Sequence, residues 1–161
     1  MRVLLVEDSE KLRRAIDFRL RKAGYLAGLK TAGLAATDGF YLPGVWSEAW
    51  GREAIGRLFD GRKKTPDALF CGNDQIARGA ADALRERGLS VPNDVAIVGF
   101  DNWEVMALAA RPPLTSVDMN LRALGREAGD RLLDMIGGKR VRGVWRRPCS
   151  LVIRQSTVAE A

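Results

Sequence analysis

Apolar and polar positions along this chain fall into two alternating patterns. Short continuous apolar runs occur at Val3-Leu4-Leu5-Val6, Ala68-Leu69-Phe70-Cys71, Val95-Ala96-Ile97-Val98 and Leu151-Val152-Ile153. They have strand length and lack the in-out alternation of a half-exposed sheet, which predicts strands covered on both faces. A fifth run, Phe40 to Val45, contains Pro43, which cannot donate to a ladder and therefore suits an edge strand. Helical spacing fills the intervals. Ser9 is placed to cap a first helix in which Leu12, Ile16 and Leu20 recur every four residues, running towards Leu34 with Gly24 as a break. Ser47 is placed to cap a second, carrying Ile55, Leu58 and Phe59 and closed by Asp60-Gly61. A third follows Asp74, with Ile76, Ala80, Ala83 and Leu84 facing inward and Gly88 as its stop. A short helix near Glu104 to Ala109 ends before Arg111-Pro112-Pro113, and a longer one repeats Leu121, Leu124, Ala128, Leu132 and Met135 before Gly137-Gly138.

Strand and helix in strict alternation predict an α/β fold: a doubly wound three-layer sandwich with a five-stranded, mostly parallel sheet in the order 2-1-3-4-5, flavodoxin-like. The whole of 1–161 reads as one domain, long enough to remove roughly two-thirds of its unfolded surface from water. In such sheets ligands meet the carboxyl ends of the strands. Those ends are Glu7-Asp8, Val45-Trp46-Ser47, Gly72-Asn73-Asp74 and Gly99-Phe100-Asp101-Asn102, polar and aromatic groups of the kind that hold a small polyhydroxyl or heterocyclic ligand.

Composition narrows the chemistry. With 47% apolar and 29% charged residues the chain is of ordinary globular type. No apolar run approaches the roughly 20 residues a membrane span needs, and the opening turns acidic too soon for a signal peptide, so the cytoplasm is expected. Histidine is absent, which removes Ser-His and Cys-His pairs and the usual general base. No glycine-rich phosphate loop occurs either. No catalytic residue and no cofactor are therefore expected. Cys71 and Cys149 each lie in an apolar stretch and read as buried reduced thiols. The net charge of +6 is mostly carried beside acids at helical spacing. The densest basic run is Lys139, Arg140, Arg142, Arg146 and Arg147 with Trp145. It reads as a surface loop ahead of the last strand or as a grip on nucleic acid by charge and stacking.

From about Asp17 to Thr157 the chain resembles the C-terminal half of a lactose-repressor family regulator, within the type I periplasmic-binding-protein superfamily. The resemblance rests on Arg21-x-x-Gly24-Tyr25, Gly44-Val45-Trp46-Ser47, the stretch from Pro66 to Ala77 through Cys71-Gly72-Asn73-Asp74, the stretch Val91-Pro92-Asn93-Asp94-Val95 to Gly99-Phe100-Asp101, and Pro112-Pro113-Leu114-Thr115-Ser116-Val117. It implies Arg21 and Asn73 as hydrogen-bond donors to an effector, Asp101 as acceptor and Trp46 as apolar platform. Each residue also has a plain structural reading: Asn73 and Asp101 as caps or turn formers, Trp46 as core, Arg21 as a solvated helix residue. The helix-turn-helix headpiece and most of the N-terminal lobe of that family have no counterpart here, so no specific DNA reading is expected and any effector site is a half-site.

The opening Met1 to Arg13 resembles instead the start of a response-regulator receiver domain, whose acidic pair binds magnesium. Glu7 and Asp8 match that pair, yet two carboxylates make a meagre hard-cation site and equally form a helix-start acidic cluster. Asp74 sits in the repressor pattern and no matching lysine follows, so no phosphoacceptor is expected. Residues 1–16 from a receiver joined to 17–157 from a repressor lobe, with the junction between Ser9 and Tyr25, describe a recombined or designed chimera without native activity. The rival account is a truncated domain that binds a sugar or nucleoside-like effector. The apolar stripe of Leu121 to Met135 needs a covering surface, which points to a homodimer.

Overall fold

The computed structural model describes residues 3–8, 16–34, 41–60 and 66–158, with side chains for 23–34, 42–60 and 66–158. Six strands alternate with five helices: β1 Val3–Asp8, α1 Ile16–Thr31, β2 Tyr41–Gly44, α2 Glu48–Phe59, β3 Ala68–Cys71, α3 Asp74–Glu86, β4 Ala96–Phe100, α4 Glu104–Ala107, β5 Thr115–Asp118, α5 Leu121–Ile136 and β6 Ser150–Val152. They form one sheet in the order β2-β1-β3-β4-β5-β6. The expected α/β class with a mostly parallel open sheet is what the chain adopts, but the sheet has six strands, not five. The run at Leu151, read as the fifth strand, is the sixth and pairs antiparallel to β5, Val117 opposite Leu151. Thr115–Asp118 takes the fifth place beside β4, parallel, with Gly99 opposite Ser116.

Most helix ends follow from local chemistry. The Ser47 hydroxyl accepts the Trp50 amide at 3.1 Å and caps α2. Asn73, one residue before the expected Asp74, caps α3 by accepting the Ile76 amide at 2.8 Å. Gly88 ends that helix at φ +74, a region that costs glycine nothing. Gly24 does not break α1, which runs through it; Ser9 lies outside the described residues.

The core sits on one face of the sheet. Leu69, Cys71 and Ile97 point into a cluster with Ile55 and Leu58 of α2 and Ile76, Ala80 and Leu84 of α3, all essentially buried. The two helices approach until their backbones nearly touch: a Cβ on Gly51 would lie 2.2 Å from the Ile76 carbonyl oxygen, and one on Gly79 2.0 Å from that of Glu48. The opposite face is less filled. Phe70, Val98 and Phe100 are half-buried there, and Gly24 and Gly28 of α1, with Ala32 just after it, leave an apolar gap of about 570 Å³ between helix and sheet. Double coverage fails outright for β6, where Leu151 and neighbouring Ile153 are exposed, because an antiparallel edge strand has one neighbour and no helix over it. Cys71 is buried as expected, but Cys149 is exposed, since it precedes this uncovered edge. No residue of α5 is buried.

Candidate functional site

Parallel strands deliver their carboxyl ends to one edge of the sheet, and the register brings the candidate residues there together. Phe70 is opposite Val98, so Asn73 and Asp101, each three residues further on, leave adjacent strands at the same level. Trp46 follows β2 on the same edge, two residues beyond Gly44, which is opposite Asp8 of β1. Trp46 is 47% exposed, which makes it a surface aromatic, not core. Arg21 lies within α1, but its side chain, like those of Glu7 and Asp8, falls outside the described residues. Among the described residues no group of three or more Cys, Asp or Glu is placed to hold a metal ion, and no helix is long and apolar enough to cross a membrane.

Asn73 is nearly fully buried and its carbonyl oxygen is committed to the helix cap, leaving its amide NH₂ as the donor it presents. Asp101 has φ +99 and Asn102 φ +49, two successive left-handed residues that cost strain and persist only when the surroundings hold them. Three successive amides show what holds them. Asp101 donates to the Val117 carbonyl at 2.9 Å, Asn102 to the Ser116 hydroxyl at 3.0 Å, and Trp103 to the Asp74 carboxylate at 2.7 Å.

Asp74 organises this clamp. It is buried, and its other carboxylate oxygen accepts the Ser116 hydroxyl at 2.6 Å. Burial pushes its pKa up; the hydrogen bonds from Ser116 and the Trp103 amide, with the charge of Arg154, pull the other way without cancelling it. Its carboxylate also explains Gly99: a Cβ there would lie 2.2 Å from Asp74 Oδ1. Arg154 closes the far side, donating to the Leu114 carbonyl at 2.7 Å and to the Asn102 side-chain oxygen at 2.8 Å. The sequence marked Asp74 only as a strand-end polar group, a helix start and a rejected phosphoacceptor, and did not mark Ser116 as a site residue. Trp103, 49% exposed beside Asp101, was also missed, although its place three residues beyond β4 is the signal that marks it.

An edge of polar groups with two exposed tryptophans, fixed by a buried carboxylate, suits recognition of a small polar molecule more than chemistry upon it. The sequence profile of the periplasmic binding protein-like domain matches residues 3–157. The chain belongs to that family. The match begins at residue 3, so this periplasmic binding protein-like domain includes the strand that resembles a receiver. Over 121 residues it is 38% identical to the HTH-type transcriptional repressor PurR of Haemophilus influenzae, covering 75% of this chain and 35% of that protein. Over 140 residues it is 35% identical to the HTH-type transcriptional repressor CytR of Escherichia coli, covering 86% of this chain and 40% of that one. Its fold superimposes with a TM-score of 0.84, at 32% identity, on the Lac repressor dimer bound to operator and the anti-inducer ONPF, over 98% of this chain and 53% of that one. This periplasmic binding protein-like domain is thus homologous to regulator effector-binding domains and spans well under half the length of the curated relatives it matches.

Proposed function

We propose that the chain is a non-catalytic effector-binding lobe of a cytoplasmic transcriptional regulator, and that Arg21, Trp46, Asn73 and Asp101 form its ligand contacts. The observation that carries this is the strained Asp101 turn, held level with Asn73 by three successive backbone hydrogen bonds. In this reading the Asn73 amide donates to a hydroxyl or ring acceptor, Asp101 accepts, and Trp46 covers an apolar face of a sugar or nucleoside-like ligand. The receiver resemblance of residues 1–16 is the sole support for a recombined origin, and the family match from residue 3 favours one continuous lobe. The exposed apolar stripe of α5 supports self-association as a homodimer.

Trp46, Asn73 and Asp101 lie on a single edge, so a bound ligand keeps water on its other side. Each hydrogen bond then contributes about 0.5–1.5 kcal/mol, against an association cost of at least about 4 kcal/mol. Affinity is expected to be no better than about millimolar. Calorimetry with a panel of sugars, purine bases and nucleosides tests this: saturable weak binding that disappears in Asp101→Asn and Trp46→Ala supports the site. Binding unaltered by both substitutions, or none at concentrations well above millimolar, overturns it.

A further inference from the structure

The helix α5 and the irregular segment after it enclose a groove of about 760 Å³. The basic run noted in the sequence supplies one wall: Lys139, Arg140, Arg142 and Arg147. The other wall is helical and carries Arg122, Arg126 and Arg131. Seven cations therefore meet three carboxylates in one concavity. Two of those carboxylates are already engaged: Glu127 pairs with both Arg131 and Arg147, and Asp134 with Lys139 at 2.7 Å. Asp130 makes no ion pair among the described residues, and neither do Arg122, Arg126, Arg140 and Arg142.

Both sets line the groove, and the Asp134–Lys139 and Glu127–Arg147 pairs join its two walls. Arg131 lies 4.1 Å from the centre of the Trp145 ring, a cation–π contact that fastens the loop to the helix. With Arg131 on one face, the ring's first role is to hold the loop against the helix. Arg122 and Arg126 are four residues apart on a helix, an arrangement in which like charges repel. Four uncompensated guanidinium groups in one groove are relieved by a polyanion, and arginine forks match phosphate oxygens in pairs. We propose that this groove docks the phosphodiester backbone of nucleic acid without reading its sequence.

Fluorescence anisotropy with a short labelled DNA duplex, using the full chain across a salt series, tests the proposal. About four phosphate contacts predict that log K falls with log salt at a slope of about −3 to −4. The variant carrying Arg122→Gln, Arg126→Gln, Arg140→Gln and Arg142→Gln should bind at least about tenfold more weakly and lose most of that slope. All four positions are exposed, and circular dichroism confirms that the variant folds. Arg52→Gln with Arg85→Gln, on the α2–α3 surface, removes two charges outside the groove and should change binding little. Equal losses in both variants would make the effect one of net charge and overturn the proposal. So would tighter binding to anionic phospholipid vesicles than to DNA, or full competition by inorganic phosphate alone at matched ionic strength.

Discussion

At the scale of single residues, Asp74 decides whether the ligand edge holds its shape. Asp74→Ala leaves the Trp103 amide and the Ser116 hydroxyl without their acceptor, a loss of about 2–4 kcal/mol in denaturant unfolding, with Trp103 fluorescence reporting the loosened turn. Asp74→Asn keeps one acceptor and should cost only about 1 kcal/mol. The pH dependence has a definite sign. Because burial raises this carboxyl's pKa in the folded chain, the folded state holds its proton more tightly than the unfolded state. Its contribution to stability therefore declines as pH rises from the ordinary carboxylate value through the raised one. Urea midpoints from acidic to neutral pH should show this decline in the native chain and lack it in Asp74→Asn. The two cysteines are equally separable. Cys71 is fully buried with its thiol pKa pushed well up by desolvation, whereas Cys149 is exposed. A thiol reagent should titrate Cys149 alone in the folded chain and both after denaturation, and rapid labelling of Cys71 in the native state would contradict the core described above.

At the scale of elements, the packing of α2 against α3 rests on two close backbone approaches. Gly51→Ala or Gly79→Ala sets a methyl group against a main-chain carbonyl that cannot rotate away, so the helices must separate, at a cost of about 1–3 kcal/mol. Gly125 and Gly129 of α5 have open space where a Cβ would go. There the same substitution should stabilise by about 0.5–1 kcal/mol through helix propensity. Thermal unfolding of the four variants checks the contrast, and the opposite order would mean that α5, not the α2–α3 pair, is the closely packed element. The strands show a similar division. β3 and β4 were legible because apolar runs report burial locally, but β5 was not. Its Thr115-Ser116-Val117-Asp118 has no apolar run, and its buried hydroxyls are satisfied by remote groups: the Thr115 side chain donates to the Arg154 carbonyl at 2.9 Å, and the Ser116 hydroxyl donates to the Asp74 carboxylate at 2.6 Å.

At the scale of the whole molecule, the uncovered surface dominates. Leu121, Leu124, Leu132, Leu133, Met135 and Ile136 of α5 are all more than two-fifths exposed, and exposed apolar surface gathered on one helix is the kind that marks a contact site. Sedimentation should show concentration-dependent dimerisation, abolished by Leu132→Glu with Leu133→Glu, while circular dichroism stays unchanged because neither side chain supports the core. A strict monomer at high concentration, or a dimer indifferent to these substitutions, would place the association elsewhere.

What the sequence determined by itself is what its local periods and caps encode: the α/β class, most of the helix stops, the Ser47 cap, five of the six strand positions and the polar residues at their ends. Those signals lie within a few residues of the structure they specify, so one chain is enough to read them. The tertiary structure decided the rest. The antiparallel direction of β6 depends on the path the chain takes through α5. The burial of Asp74 depends on Ser116, 42 positions away in sequence. In each case the deciding energy is a contact between distant segments, and no local pattern of apolar and polar residues carries that information.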